Sequence, residues 1–246
     1  MREDVCICIP TKRPQPVLTL GSYPPPKDVR VFIIADPTVL EEHCKRQNKQ
    51  ISVMDGSRGM GAQSANCYRV AAENGFTQFF RMDDDLPPKS FIHIDGHYPD
   101  IDEALEALLE CMRVTGKALC GFVNTSNRYW LKKGFAETYG IIHGGANLSI
   151  ASHFPETFID PKLLRCEDIY RTCGHRKWDL EHGGTGRNGR VQYIGIDKSK
   201  STSKQGGNVS TISLTREQIL AQRKVVMDRF PEFISRLDDQ MVRFRR

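Results

Sequence analysis

The sequence predicts an α/β protein, with a mostly parallel sheet flanked by helices and helices again at its C-terminal end. Three observations carry this. Short and almost continuously apolar runs recur, as strands buried on both faces require. Helical stretches alternate with them at short intervals. The composition, 39% hydrophobic and 26% charged over 246 residues, is that of a globular chain able to bury a sizeable core.

Residues 4–10 (DVCICIP) are the first such run, ended by proline. Residues 29–35 (VRVFIIA) are the second, stopped by Asp36-Pro37, and a helix is expected from Val39 with Thr38 and Glu41 as a capping box. Residues 51–54 form a third strand, 61–74 a helix closed by Gly75, and 77–82 a fourth strand leading into Asp83. Residues 102–114 are an amphipathic helix. Strands are expected at 119–123, 138–142, 147–150 and 191–196, and a short helix at 166–172. The polar, Gly-rich stretch 197–213 reads as a mobile basic loop. Thr215 opens a further helix with Gln218 as its capping partner, and Pro231 starts another helical turn. Residues 1–214 are therefore expected to be one catalytic domain, with 215–246 a helical extension packed on it.

Ligands of open α/β sheets bind beyond the carboxyl ends of the strands. That rule gathers residues 10–13, Asp36 and residues 83–85 at one rim. The fourth strand ends in FFRMDDDLPP, residues 79–88. On an extended chain, residues two apart point the same way. Asp83 and Asp85 are then expected to share one hard cation, magnesium or manganese, with Asp84 turned away. The bland alternative is a solvated acidic turn. Without a cation such neighbours repel, and some hold a proton. The Gly-rich turn 56–61, which contains Arg58, offers backbone amides to a phosphate at a helix start, but it has neither the P-loop ending nor the dinucleotide spacing.

ICIPTKRP, IIAD, the helix carrying G-A-x-x-x-N and the D-D-D triplet together resemble the GT-A nucleotide-sugar glycosyltransferases. The resemblance implies that Asp83 and Asp85 meet the metal and the donor diphosphate, with Asp84 near the ribose or the sugar. It implies nucleoside contacts from Pro10, Thr11, Arg13 and Asp36, and donor contacts from Arg58 and Asn66. HGGANLSI, residues 143–150, is similar to the Gly-rich strand that lines the sugar site, which implicates Gly145. RCEDIYRTC is similar to the E-D pair of inverting members and makes Asp168 the general base, with Glu167 beside the acceptor or sugar hydroxyls. Inverting transfer needs such a carboxylate to take the acceptor proton as the C–O bond forms. His182 and Asp197 are candidates for a further metal ligand. Lys198, Lys200 and Lys204 are placed to meet the diphosphate from the loop. The donor implied is a UDP-sugar.

Net charge is +5, which permits an anionic partner without requiring one. Basic residues follow the E-D pair, and Tyr129, Trp130, Tyr170 and Trp178 lie among them as candidates to stack on bases. The chain resembles phage and kinetoplastid enzymes that glycosylate hydroxymethylated pyrimidines in DNA, which implies a DNA acceptor. The competing readings are a protein or glycan acceptor, a sugar nucleotidyltransferase, and a basic nucleic-acid-binding module. No apolar run reaches the ~20 residues of a membrane span, so a soluble, cytoplasmic protein is expected, in the host cytoplasm if viral. The eight cysteines include no C-x-x-C and are expected to be reduced.

Overall fold

The computed structural model describes residues 2–13, 18–152, 158–164, 166–197, 214–237 and 242–245. Four strands and their helices open the fold: β1 Val5–Thr11, α1 Leu18–Ser22, β2 Arg30–Ala35, α2 Leu40–Cys44, β3 Ile51–Asp55, α3 Met60–Glu73 and β4 Gln78–Met82. β5 Phe91–His93, α4 Ile101–Thr115 and β6 Leu119–Val123 follow, then a 3-10 turn at Arg128–Trp130. β7 Phe135–Thr138, β8 Ala146–Ile150, α5 Glu167–Glu181 and β9 Asn188–Ile196 complete the main sheet. α6 Arg216–Arg229 leads to a hairpin of β10 Ile234–Leu237 and β11 Val242–Phe244.

The main sheet has nine strands in the order β3-β2-β1-β4-β8-β6-β9-β5, with β7 on β9. β1 pairs in parallel with β2 and β4, β2 with β3, and β6 with β9. β8 runs antiparallel between β4 and β6, and β5 and β7 run antiparallel to β9. The mostly parallel α/β class is therefore the observed one. Because β8 is reversed, its start, not its end, lies at the rim where β4 finishes.

The buried strands divide their side chains by the two-residue period. Ile7 and Ile9 pack with Leu105, Leu108 and Cys111 of α4 on one face. Cys6 and Cys8 pack with Cys67, Tyr68 and Val70 of α3 on the other. Each such aliphatic side chain contributes roughly 1.5–3 kcal/mol on burial. α4 is capped by Asp100, which accepts from Glu103 N, and closed by Gly116 at φ 65°. All eight cysteines are free thiols. No helix among the described residues is long and apolar enough to cross a membrane.

Four local expectations need correction. Thr38 does not cap α2: its N–H and Oγ1 both donate to Asp36 Oδ1, so Val39 takes the cap position without a side-chain bond. The strand expected at 138–142 ends at Thr138, whose Oγ1 accepts from Gly140 N and closes a turn. The short helix at 166–172 is the fifteen-residue α5. Residues after Pro231 form the β10–β11 hairpin instead of another helix. The capping box at Thr215 and Gln218 does form. Val226, Phe230, Phe233 and Ile234 pack on Ile169, Tyr170 and Cys173 of α5, so the C-terminal segment is held by apolar contact.

Candidate active site

A cavity of about 420 Å³ opens at the rim beyond β1 and β4. It is within the size range of small-ligand sites. β1 and its exit contribute Pro10, Thr11, Lys12 and Arg13, and α3 contributes Met60 and Gln63. Asp83, Asp84 and Asp85 come from the end of β4, Glu167 and Asp168 from the start of α5, and Ile219 and Arg223 from α6. Five carboxylates thus meet in one hollow.

α3 reaches the cavity because Gly61 lets it approach the 160–163 turn closely. A Cβ there would stand 2.4 Å from Asp160 O and 2.5 Å from Leu163 O. At the second such point, a Cβ on Gly144 would stand 2.7 Å from Arg81 Nη1. Gly145 O accepts from Asp83 N at 2.9 Å and pins the triplet to the start of β8.

The expected alternation of the triplet does not hold. β4 ends at Met82, so residues 83–85 lie in a turn where the strand period no longer applies. All three line the cavity. Asp84 Oδ2 accepts from Thr11 Oγ1 at 2.6 Å. Arg13 Nη2 donates to Asp85 Oδ2 at 3.0 Å, and its Nε lies 3.9 Å from Asp84 Oδ2. Burial pushes the Asp84 carboxyl up to about 6, against the Thr11 hydrogen bond and the Arg13 charge. Burial and the neighbouring Asp83 also raise Asp85.

The α5 carboxylates have a different setting. Cys166, the residue before them, is held at φ 64° and ψ 16°. That left-handed conformation strains a residue with a Cβ. Glu167 is raised by burial and by Asp168, while Arg81 and Arg171 pull the other way. Arg81 Nη2 stands 3.6 Å from Asp83 Oδ1 and 3.9 Å from Glu167 Oε1, so one buried guanidinium serves both acidic groups. Arg171 is also fully buried. No nitrogen of either guanidinium makes a hydrogen bond among the described residues. His143 Nδ1 lies 3.9 Å from Asp168 Oδ2.

Of the residues expected at the site, Pro10, Thr11, Arg13, Asp83, Asp84, Asp85, Glu167 and Asp168 are brought together. Asp36 is buried at the same rim but outside the lining, with Oδ1 engaged by Thr38. Arg58 is exposed, and the turn delivers Met60 in its place. Asn66, one helical turn on, bonds to Ser57 and Arg69. His182 is excluded as a ligand at this rim. It ends α5, some 20 Å of helix from Asp168, with Nδ1 at 2.8 Å from Trp178 O. Asp197 follows β9 and its N–H donates to Ser90 O, outside the lining. Lys198, Lys200 and Lys204, with the rest of the expected loop, lie outside the described residues. Tyr170 packs on Phe230 in the core, and Trp178 stacks on His182. Only Tyr129 and Trp130 of the four aromatics stand in solvent, at 82% and 73% exposure.

The donor set of the triplet suits a hard divalent cation. It is all oxygen, Asp83 raises the pKa of both Asp84 and Asp85, and Arg13 already places positive charge against it. Among the described residues no group of three or more His, Cys, Asp or Glu is placed to hold a metal ion, so any protein ligands would be fewer. Asp83 and Asp85 would supply the protein ligands, leaving positions for water and phosphate.

No family model and no curated protein matches the chain. Solved structures do. Staphylococcus aureus TarS 1–349 in complex with UDP is similar with a TM-score of 0.55 and 10% identity, over 92% of this chain and 64% of that one. A Desulfovibrio desulfuricans protein described as a nucleotide-diphospho-sugar transferase gives 0.49 and 11%, over 94% and 99%. A 4-diphosphocytidyl-2C-methyl-D-erythritol synthase gives 0.45 and 15%, over 93% and 100%. The chain spans about 64% of the length of the UDP-bound TarS structure. At this level of identity the likeness to TarS shows a shared α/β fold.

Proposed function

We propose that the chain is an inverting glycosyltransferase that moves a sugar from a nucleotide sugar, a UDP-sugar, to a hydroxyl acceptor. The observation that carries this reading is the meeting of the β4 and α5 carboxylates in one cavity at the strand ends. The fold shared with a structure solved with UDP supports it. In this reading the acceptor hydroxyl attacks the anomeric carbon, the bond to the diphosphate breaks, and Asp168 takes the hydroxyl proton. His143 faces Asp168 and orients it. Glu167, backed by Arg81, holds a sugar or acceptor hydroxyl. A divalent cation held by Asp83 and Asp85 supplies positive charge for the departing diphosphate. The catalytic unit is then the 1–214 segment together with α6, which supplies Ile219 and Arg223 to the cavity wall.

For the acceptor we propose 5-hydroxymethylpyrimidine in DNA. Support comes from the family resemblance and from exposed Tyr129 and Trp130 beside Arg128, Lys132 and Lys133. One observation favours a second reading, a sugar nucleotidyltransferase: Lys12 and Arg13 line the cavity at the end of β1, where a triphosphate could be met.

The test offers the protein Mn²⁺ with a panel of nucleotide sugars and follows release of nucleoside diphosphate. A parallel assay offers nucleoside triphosphates with sugar phosphates and follows pyrophosphate. Diphosphate release alone supports the transferase, and pyrophosphate release alone replaces it with the second reading. DNA containing 5-hydroxymethylpyrimidine should gain the mass of one sugar. Transfer to a glycan and not to DNA sinks the acceptor proposal.

A further inference from the structure

We propose that Arg223, on α6, is the cation that grips a phosphate of the nucleoside diphosphate. This rests on the nucleotide-sugar reading above and names a residue for it outside every motif in the sequence. Arg223 lines the cavity together with Ile219. Its Nε and Nη1 are buried and make no hydrogen bond among the described residues. The polar group beside it is the Cys166 thiol, to which it is a weak side-chain donor and whose pKa it lowers against the larger effect of burial. A thiol is a poor acceptor for a guanidinium. Arg13, by contrast, is bonded to Asp85.

The electrostatics favour such a group in addition to Lys12 and Arg13. Five carboxylates line the hollow and oppose the approach of a diphosphate. Two desolvated N–H donors without an acceptor are unfavourable, so ligand and side chain relieve each other. The planar donor fork of arginine fits phosphate oxygens two at a time. The helix that carries it is held in place. Gln222 Oε1 accepts from Leu164 N at 3.0 Å, the Thr215 capping box fixes the helix start, and Val226 and Phe230 are buried against α5. Arg223 is thus presented by a fixed wall.

The experiment is calorimetric titration of the full chain with UDP and with inorganic pyrophosphate at constant Mn²⁺. It compares wild type with Arg223→Ala, Arg223→Gln and Arg223→Lys. Loss of one charge-assisted contact predicts roughly 10–100-fold weaker binding of both ligands in Ala and Gln, with partial recovery in Lys. Melting temperature should be unchanged, because the apolar side of α6 is untouched. Wild-type affinity in the Ala and Gln variants overturns the proposal and leaves the transferase reading standing. So does a loss of affinity that appears only with a collapsed fold in both variants. A wild-type protein that binds none of UDP, ADP, CDP or GDP overturns both.

Discussion

The acids at the end of β4 and those at the start of α5 line one cavity and share the buried Arg81, yet their remaining counter-charges stand in opposite places. The β4 triplet faces its cation directly: Arg13 hydrogen-bonds Asp85 inside the cavity lining. The α5 pair has its cations behind it, where Arg81 and Arg171 are fully buried and reach Glu167 by charge without hydrogen bonds. A counter-charge in the open can be exchanged for another cation. A counter-charge in the core cannot, and acts as a fixed bias on the carboxylate. On the proposed reading, the difference matches ion binding by the first group and proton transfer by the second.

The most severe test of that division is a pair of substitutions. Asp168→Asn should lower transfer by roughly 10²–10⁴-fold while UDP affinity in Mn²⁺ stays within about twofold. Asp85→Asn should abolish both transfer and Mn²⁺-dependent UDP binding, measured by calorimetry. If the two variants exchange phenotypes, the assignment is reversed. Next in size is Arg81→Met. It removes the one buried charge shared by the two groups and should destabilise the protein by about 3 kcal/mol in urea unfolding. Glu167 then loses a charge that lowers its pKa, so the acid limb of the pH–rate profile should move to higher pH.

Asp84 gives a third test, in metal-free buffer. Its folded-state pKa of about 6 lies above the model-peptide 3.8, so the folded chain holds the proton more tightly than the unfolded one. Stability from this group is present below pH ~4 and lost as pH rises through about 6, on the order of 1–3 kcal/mol. Asp84→Asn should flatten that fall in denaturant titrations at pH 4, 5, 6 and 7. The smallest effect concerns the strained Cys166 that aims the α5 pair. Cys166→Gly should change stability by less than about 1 kcal/mol and leave turnover alone. Cys166→Val, β-branched at positive φ, should be less stable than the Gly variant by about 1–2 kcal/mol.

The first half of the fold was legible because its strands are apolar on both faces, and that pattern places Pro10 and Asp83 at one rim. The second half was less so, since β8 runs backwards and brings its first residues to the site, where a rule about strand ends points elsewhere. The D-D-D triplet was visible as chemistry but not as geometry: strand alternation predicted a pair, and the turn after Met82 gave three cavity acids. Arg81 carries a readable signal, a charge inside the apolar run FFRM that has to find an anion when buried. Arg223 carried none. Its helix is polar on most of its surface, and only tertiary contact with α5 turns Arg223 inward. His182 and Asp36 show the converse, since reactive residue types at plausible positions are engaged in ordinary caps and turns.

The lining of the cavity runs from Pro10 to Arg223, and this has a consequence for biogenesis. During synthesis the early strands can pair while the chain is still being made, because their contacts are close in sequence. The α6 wall, Arg216–Arg229, can dock only after the strands that form the rim have emerged, and its docking closes a long loop. A half-made chain therefore presents the acidic rim with Lys12 and Arg13 but without Arg223. On the proposed reading, ligand that engages Arg223 favours the chain with α6 docked over forms in which it is not.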